Sequence, residues 1–326
     1  MSSSFWFAKC KQLLTLSLFL GPSLGNCIEN LKLKQEIMTV TSSIEILNAK
    51  ELFEKLNTAD GQVAHQITLI DARESSFNQG HIPGSQMMNW EDWSEEKPGI
   101  GSAIFGNSEK WGRILKGPTV QQKLRKLGLS QNKMIVVIGD PKGWGEEGRI
   151  AWSLLYWGTS HVALLDGGFP AWKKAGYPVE GGKVKIPLPG DFKYAISNHR
   201  QATKTIVEEN LRSGTRSLLD ARTIEEYNGK KMPGQKRGGH IPGSKLIEFQ
   251  KLYQSDGLYI TADALKKLVG HEFTSAPITY CTGGVRSALL ALLIEARLGI
   301  PALNYDASIW EWSADKKLPI EVEKVK

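Results

Sequence analysis

The chain has 326 residues, 41% of them hydrophobic and 23% charged, with a net charge of +7. That length fits two domains of ordinary size. The positive balance suits small anionic substrates, and the lack of an arginine-rich run or a nucleic-acid motif argues against DNA or RNA as a partner.

Residues 1–37 open with Lys9 and Lys11, then an apolar run from Leu13 to Leu20, then small residues to Cys27. This is the form of a secretory leader, too short to span a membrane stably, and it implies an exported or periplasmic protein. Asn26 before Cys27 makes a poor lipoprotein box. The alternative is a start at Met38 and a cytoplasmic protein, because the domain-like sequence begins just beyond it.

The rest of the chain is a duplication. Leu69-Ile70-Asp71-Ala72-Arg73 recurs as Leu218-Leu219-Asp220-Ala221-Arg222, and Gly80-His81-Ile82-Pro83-Gly84-Ser85 recurs as Gly239-His240-Ile241-Pro242-Gly243-Ser244. The second copy carries an insertion rich in Gly and Lys, Asn228 to Gly238. In each half an amphipathic helix leads to a strand ending in Asp-Ala-Arg, the histidine-bearing turn and a second apolar strand. A helix and a further short strand follow; in the first half these are Ile150–Trp157 and Val162–Asp166. Such alternation predicts an α/β fold, each half a mainly parallel sheet flanked by helices. The halves span 41–178 and 205–326. The linker is 179–204, poor in apolar periodicity and rich in Gly and Pro.

The second apolar strand, Ala276 to Tyr280, runs into Cys281-Thr282-Gly283-Gly284-Val285-Arg286-Ser287, and a helix follows from Ala288 to Ala296. Cys281 is the sole cysteine after Cys27, so the folded body can hold no intrachain disulfide. A thiol at a strand-to-helix turn meets converging backbone N–H groups, which depress its pKa and cradle an anion. An inert core cysteine is the plainer alternative, but two glycines and Arg286 directly after it are hard to explain by packing. Active groups in parallel sheets lie beyond the carboxyl ends of strands, where Asp220, Arg222 and Cys281 all fall.

These motifs, duplicated and in order, resemble tandem-domain rhodanese-type sulfurtransferases from about Thr41 to about Lys324. Leu165-Asp166-Gly167-Gly168-Phe169-Pro170-Ala171-Trp172 in the first half also fits that pattern, as does Tyr305 to Trp312 near the end. The resemblance implies two rhodanese-like domains. The first is an inactive copy in which Asp140 stands at the cysteine position, and the second is catalytic. It implies a Cys281 thiolate that takes a sulfane sulfur from an anionic donor and passes it as a persulfide to cyanide or a thiol, with a protein acceptor also compatible. Arg222 resembles the family's donor-binding arginine. The N–H groups from Thr282 through Gly283, Gly284, Val285 and Arg286 to Ser287, with the positive end of the helix, would hold the negative charge without metal or cofactor. Gly283 and Gly284 let the loop curl closely around the sulfur. The expected protein is a monomer.

Arg286 has two readings of equal weight: a donor to the anionic substrate or persulfide, or a structural partner for a nearby carboxylate. Asp71 and Asp220 are expected to brace the following turn. His81 and His240 occur in both copies although only one has the thiol, which makes them structural, and His65, His161, His199 and His271 show no zinc-ligand spacing. For the donor, thiosulfate is favoured. Enzymes of the family that prefer 3-mercaptopyruvate usually carry Ser where this chain has Gly283, and arginine where it has Asn228. A Cys-dependent phosphatase or arsenate reductase is a more distant alternative. Such catalysts place five residues between Cys and Arg, and here there are four, a loop sized for one sulfur atom.

Overall fold

The computed structural model describes residues 43–58, 66–98, 108–182, 184–270 and 272–322. The leader 1–37, the alternative start at Met38, and the histidines His65 and His271 lie outside these residues. No helix among the described residues is long and apolar enough to cross a membrane.

The first half begins with strand β1 (Ser43–Leu47) and helix α1 (Ala49–Leu56), capped by a reciprocal pair between Asn48 and Glu51. Strands β2 (Ile67–Asp71) and β3 (Gln86–Met87), helix α2 (Pro118–Lys126) and strand β4 (Met134–Ile138) follow. Helix α3 (Glu146–Tyr156), strand β5 (His161–Leu165) and helix α4 (Gly168–Lys174) close the half. All pairs are parallel, in the order β1-β5-β4-β2-β3. The run Ile135-Val136-Val137-Ile138 is fully buried, as expected of a central strand covered on both faces.

The second half runs through α5 (Lys204–Ser213), β6 (Leu218–Asp220), the short α6 (Ile224–Tyr227), β7 (Lys245–Leu246) and α7 (Ala262–Val269). It ends with β8 (Ile278–Tyr280), α8 (Arg286–Leu298), β9 (Leu303–Asn304) and α9 (Ser308–Ala314). Its sheet is again parallel, in the order β7-β6-β8-β9.

Helix α8 is buried from Arg286 to Ile294, and α3 is buried along almost its whole length. These two helices pack on each other, so one core draws Ile150, Trp152 and Leu155 from the first half and Leu289, Leu292 and Leu293 from the second. Gly148 makes the approach possible, because a Cβ there would collide with Leu289. The segment between the halves is strapped down rather than loose. Phe192 is fully buried, Ala202 N donates to Asn304 O (3.0 Å), and Arg200 forms a bidentate pair with Glu295 (2.6 and 2.9 Å).

The strand register corrects one expectation. Ala72 N donates to Ile138 O (2.9 Å) as Ala221 N does to Tyr280 O (2.8 Å). Phe169 N donates to Gly139 O (2.9 Å) as Ile309 N does to Cys281 O (3.3 Å). Gly139, not Asp140, therefore occupies the position of Cys281. The sequence misplaces it because the turn from Gly139 to α3 is longer than the turn from Cys281 to α8, which hides the register at the loop.

Candidate functional site

Cys281 sits at the carboxyl end of β8 and is 1% exposed. Its own N–H donates to Ser308 Oγ (3.0 Å), and the Ser287 hydroxyl lies 3.5 Å from Sγ and 2.7 Å from Asn304 Oδ1. The single Ser287 proton serves one of these two acceptors at a time. Gly284 adopts φ +76, and a Cβ on it would strike Asp306. A Cβ on Gly283 would strike the Trp310 ring. Close approach requires both glycines, and at Gly284 the left-handed turn does so as well.

Burial by itself raises the Cys281 thiol pKa. The Arg286 guanidinium, the Ser287 hydroxyl and the N–H groups of Ser287 and Gly283 outweigh that, and the net shift is downward. Arg286 is in turn clamped by Glu226 in a bidentate pair (Nη1 to Oε2 2.7 Å, Nη2 to Oε1 2.8 Å). Thr282 Oγ1 bridges them, donating to Glu226 (2.8 Å) and accepting from Arg286 (2.7 Å). Burial works to raise the Glu226 carboxyl, but Arg286 and Thr282 hold it down at about 2. Glu226 is the N3 residue of the capping box that opens α6 with Thr223. The Thr-x-x-Glu pattern is visible in the sequence, whereas its partner 60 residues away is not.

Arg222 is not brought to the site. It is fully buried, bonded to Asp220 (Nη2 to Oδ2 2.6 Å) and to Gly239 O (2.9 Å). Its counterpart Arg73 does the same with Asp71 (2.6 Å) and Gly80 O (2.9 Å). An identical pairing in both halves makes each Asp-Ala-Arg a brace for the turn that follows. His81 and His240 likewise lie buried, each stacked on a ring, of Phe77 and Tyr227. Asn228 caps α6 and does not line the cleft described next.

Above the loop lies a cleft of about 470 Å³ between the two halves. The loop contributes Cys281, Thr282, Gly283, Val285 and Arg286; Ser287 and Gly284 stand behind it. The insertion contributes Met232 and Pro233, and the first half contributes Trp90, Glu91, Pro98, Trp111, Trp144 and Glu146. Trp310 meets Trp111 edge to face at 5.3 Å and donates from Nε1 to Pro233 O (2.8 Å), while Trp144 faces the Arg286 guanidinium. Arg149, on α3, is buried and reaches Gly284 O (3.4 Å) in the cysteine loop, so the first half supports the second from below. Burial lowers its pKa, opposed by the charges of Asp306 and Cys281. The tryptophan wall and Arg149 escape sequence reasoning because they converge only through the packing of α3 on α8. Among the described residues no group of three or more His, Cys, Asp or Glu could hold a metal.

The family described as rhodanese-like domain matches residues 48–175 and 203–315. SseB of Mycobacterium tuberculosis, assigned by name as a thiosulfate sulfurtransferase, is 27% identical over 272 residues, covering 79% of this chain and 92% of that protein. The sulfur carrier protein TtuD of Thermus thermophilus is 28% identical over 261 residues, covering 75% and 86%. Among solved structures, SseA from Escherichia coli, described among 3-mercaptopyruvate sulfotransferases with a rhodanese fold, superposes with a TM-score of 0.67 at 23% identity. The match covers 82% of this chain and 99% of that one.

Proposed function

We propose, from the premise that this chain belongs to the rhodanese-like family, that it moves sulfur through a persulfide on Cys281, with thiosulfate as donor. The chain is a sulfurtransferase, acting between a sulfur donor and an acceptor. The Cys281 thiolate attacks the outer sulfur of thiosulfate; the S–S bond breaks and sulfite leaves with the electron pair. Cyanide or a thiol then attacks the terminal sulfur of the persulfide. Thiocyanate or a new persulfide departs, and the Cys281 thiolate is restored.

The observation that carries this reading is a buried thiol whose pKa is nonetheless lowered, ringed by Arg286, Ser287 and the Gly283 N–H. The persulfide is anionic as well, so the same groups serve both halves of the cycle. Thiosulfate is supported by the name of the M. tuberculosis relative and by the departures of Gly283 and Asn228 from the residues usual for 3-mercaptopyruvate. Arg286 is the only cation lining the cleft among the described residues, and Glu226 already neutralises it. The sulfonate of thiosulfate is therefore held mainly by loop N–H groups, and its KM is expected to be high.

The reading takes 205–326 as the catalytic half, 41–178 as its scaffold, 179–204 as the join, and the protein as a monomer that also loads protein acceptors. With residues 1–37 as a leader it acts in the periplasm, and amino-terminal sequencing of the mature protein tests that point. The catalytic assignment is tested by mass spectrometry after incubation with thiosulfate. One added sulfur is expected on the Cys281 peptide, and Cys281→Ser is expected to abolish thiocyanate production while keeping the fold. Undiminished thiocyanate production by that variant defeats the assignment.

A further inference from the structure

A second cavity, of about 420 Å³, lies over the carboxyl ends of the first sheet, where the cysteine loop would be if this half were catalytic. It shares Trp90, Glu91 and Glu146 with the catalytic cleft, so the two cavities have a common wall. Its character is acidic. Glu74, Glu91, Asp140, Glu146 and Glu147 all line it, and Arg73, one of its two cations, is already committed to Asp71 and Gly80 O.

Glu147 is the telling residue. Its carboxyl fills the space that a side chain on Gly139 would take, so a carboxylate stands where the second half has its thiol. It is 1% exposed. Oε1 accepts from Tyr253 OH (2.8 Å) and Tyr259 OH (3.1 Å), both from the second half, while Oε2 has no partner. A buried carboxylate oxygen left unsatisfied is costly, and the shortfall is one that a donor in the cavity would make good. The neighbours add to the demand for positive charge. Burial and then Glu74 raise Glu91, burial raises Glu146 with Asp140 adding to it, and burial and then Glu146 raise Glu147.

We propose that this cavity is the subsite for the cationic end of the sulfur acceptor, an amine- or guanidinium-bearing thiol whose sulfur reaches the Cys281 persulfide across the shared wall. The proposal rests on the sulfurtransferase reading above and adds the acceptor's charge to it. The thiolate of the acceptor attacks the terminal persulfide sulfur, the bond to Cys281 Sγ breaks, and the acceptor leaves as its own persulfide.

The test loads the full-length protein with thiosulfate, confirms the Cys281 persulfide by mass, and measures kcat/KM for transfer to cysteamine, 2-mercaptoethanol and 3-mercaptopropionate. The ratio of wild type to Glu147→Gln for each thiol cancels intrinsic thiol reactivity. With cysteamine that ratio is expected to be about ten, the loss of one charge-assisted contact. With the neutral thiol it should stay near one, and with the anionic thiol at one or below. Asp140→Asn, in the same cavity and outside the catalytic cleft, repeats the measurement should Glu147→Gln misfold. Equal ratios for the three thiols in the folded variant overturn the subsite. Failure of Cys281 to take up sulfur from thiosulfate overturns the proposed thiosulfate-to-persulfide step instead, so the two failures are distinct.

Discussion

At the scale of single residues, the Arg286–Glu226 pair sets both the stability and the reactivity of the cysteine loop. The pair is almost wholly buried, and a buried ion pair that loses one member leaves an uncompensated charge. Glu226→Gln is therefore expected to cost about 3–5 kcal/mol at neutral pH. Because Glu226 sits at about 2 in the fold against an ordinary 4.5, its contribution is complete above pH 4.5 and is lost as pH falls towards 2. The wild-type and variant denaturation midpoints should accordingly converge on acidification through that window. The same substitution releases the full charge of Arg286 onto the thiol. The pH profile of Cys281 alkylation should then move to lower pH in Glu226→Gln, although the fold is weaker.

At the scale of elements, the loop and α9 are fitted to one another. Trp310 N donates to Thr282 O (3.0 Å), and its ring lies where a side chain on Gly283 would go. Converting the donor preference by Gly283→Ser is thus expected to fail on its own. Thiosulfate turnover should drop and no use of 3-mercaptopyruvate should appear, whereas adding Trp310→Ala should restore turnover. Steady-state kinetics with both donors decide the point; a competent single variant would show that Trp310 yields easily. This is also where sequence reading reaches its limit. The Asp-Ala-Arg strand ends, the histidine turns and the cysteine loop are local patterns and can be read from one stretch of chain. The pairing of Arg222 with Asp220 rather than with a donor is less legible, because the strand end points equally well at both. The Gly139 register is hidden by an unequal loop. Glu226 and Arg149 brace the cysteine loop and the four tryptophans line the cleft through contacts between distant elements, and no spacing announces those.

At the scale of the whole molecule, the halves are joined by side chains that have uses on both sides of the boundary. Asp166 of the first half accepts from Tyr259 N (2.7 Å) and from Arg297 (3.3 Å), and Asp306 of the second accepts from Ile114 N (2.7 Å). Glu147 belongs to this set but is held at a cost. Burial and Glu146 push it up to about 7 against an ordinary 4.5. A carboxyl raised in the fold favours the native state fully below pH 4.5, and that advantage disappears as pH rises through 7. Glu147→Gln should therefore stabilise the protein at pH 8, by an amount on the order of a few kcal/mol. The gain should shrink to nothing near pH 4.5. Urea midpoints across that range measure it, and a destabilised variant at pH 8 would contradict the assignment of Glu147 as a strained group. Stability gained at the expense of a functional subsite is a common exchange.

The position of Glu147 beneath Gly139 also bears on engineering. A cysteine placed at 139 by itself would drive its Cβ into the Glu147 carboxyl. Shortening residue 147 by itself would open a hole beside Tyr253 and Tyr259 with no nucleophile to fill it. Each single change leaves a damaged protein, and only the two together, with a shortened loop, would build a second catalytic centre. The carboxyl thus fills the place that the sulfur takes in the other half, and a second catalytic centre cannot be installed one residue at a time.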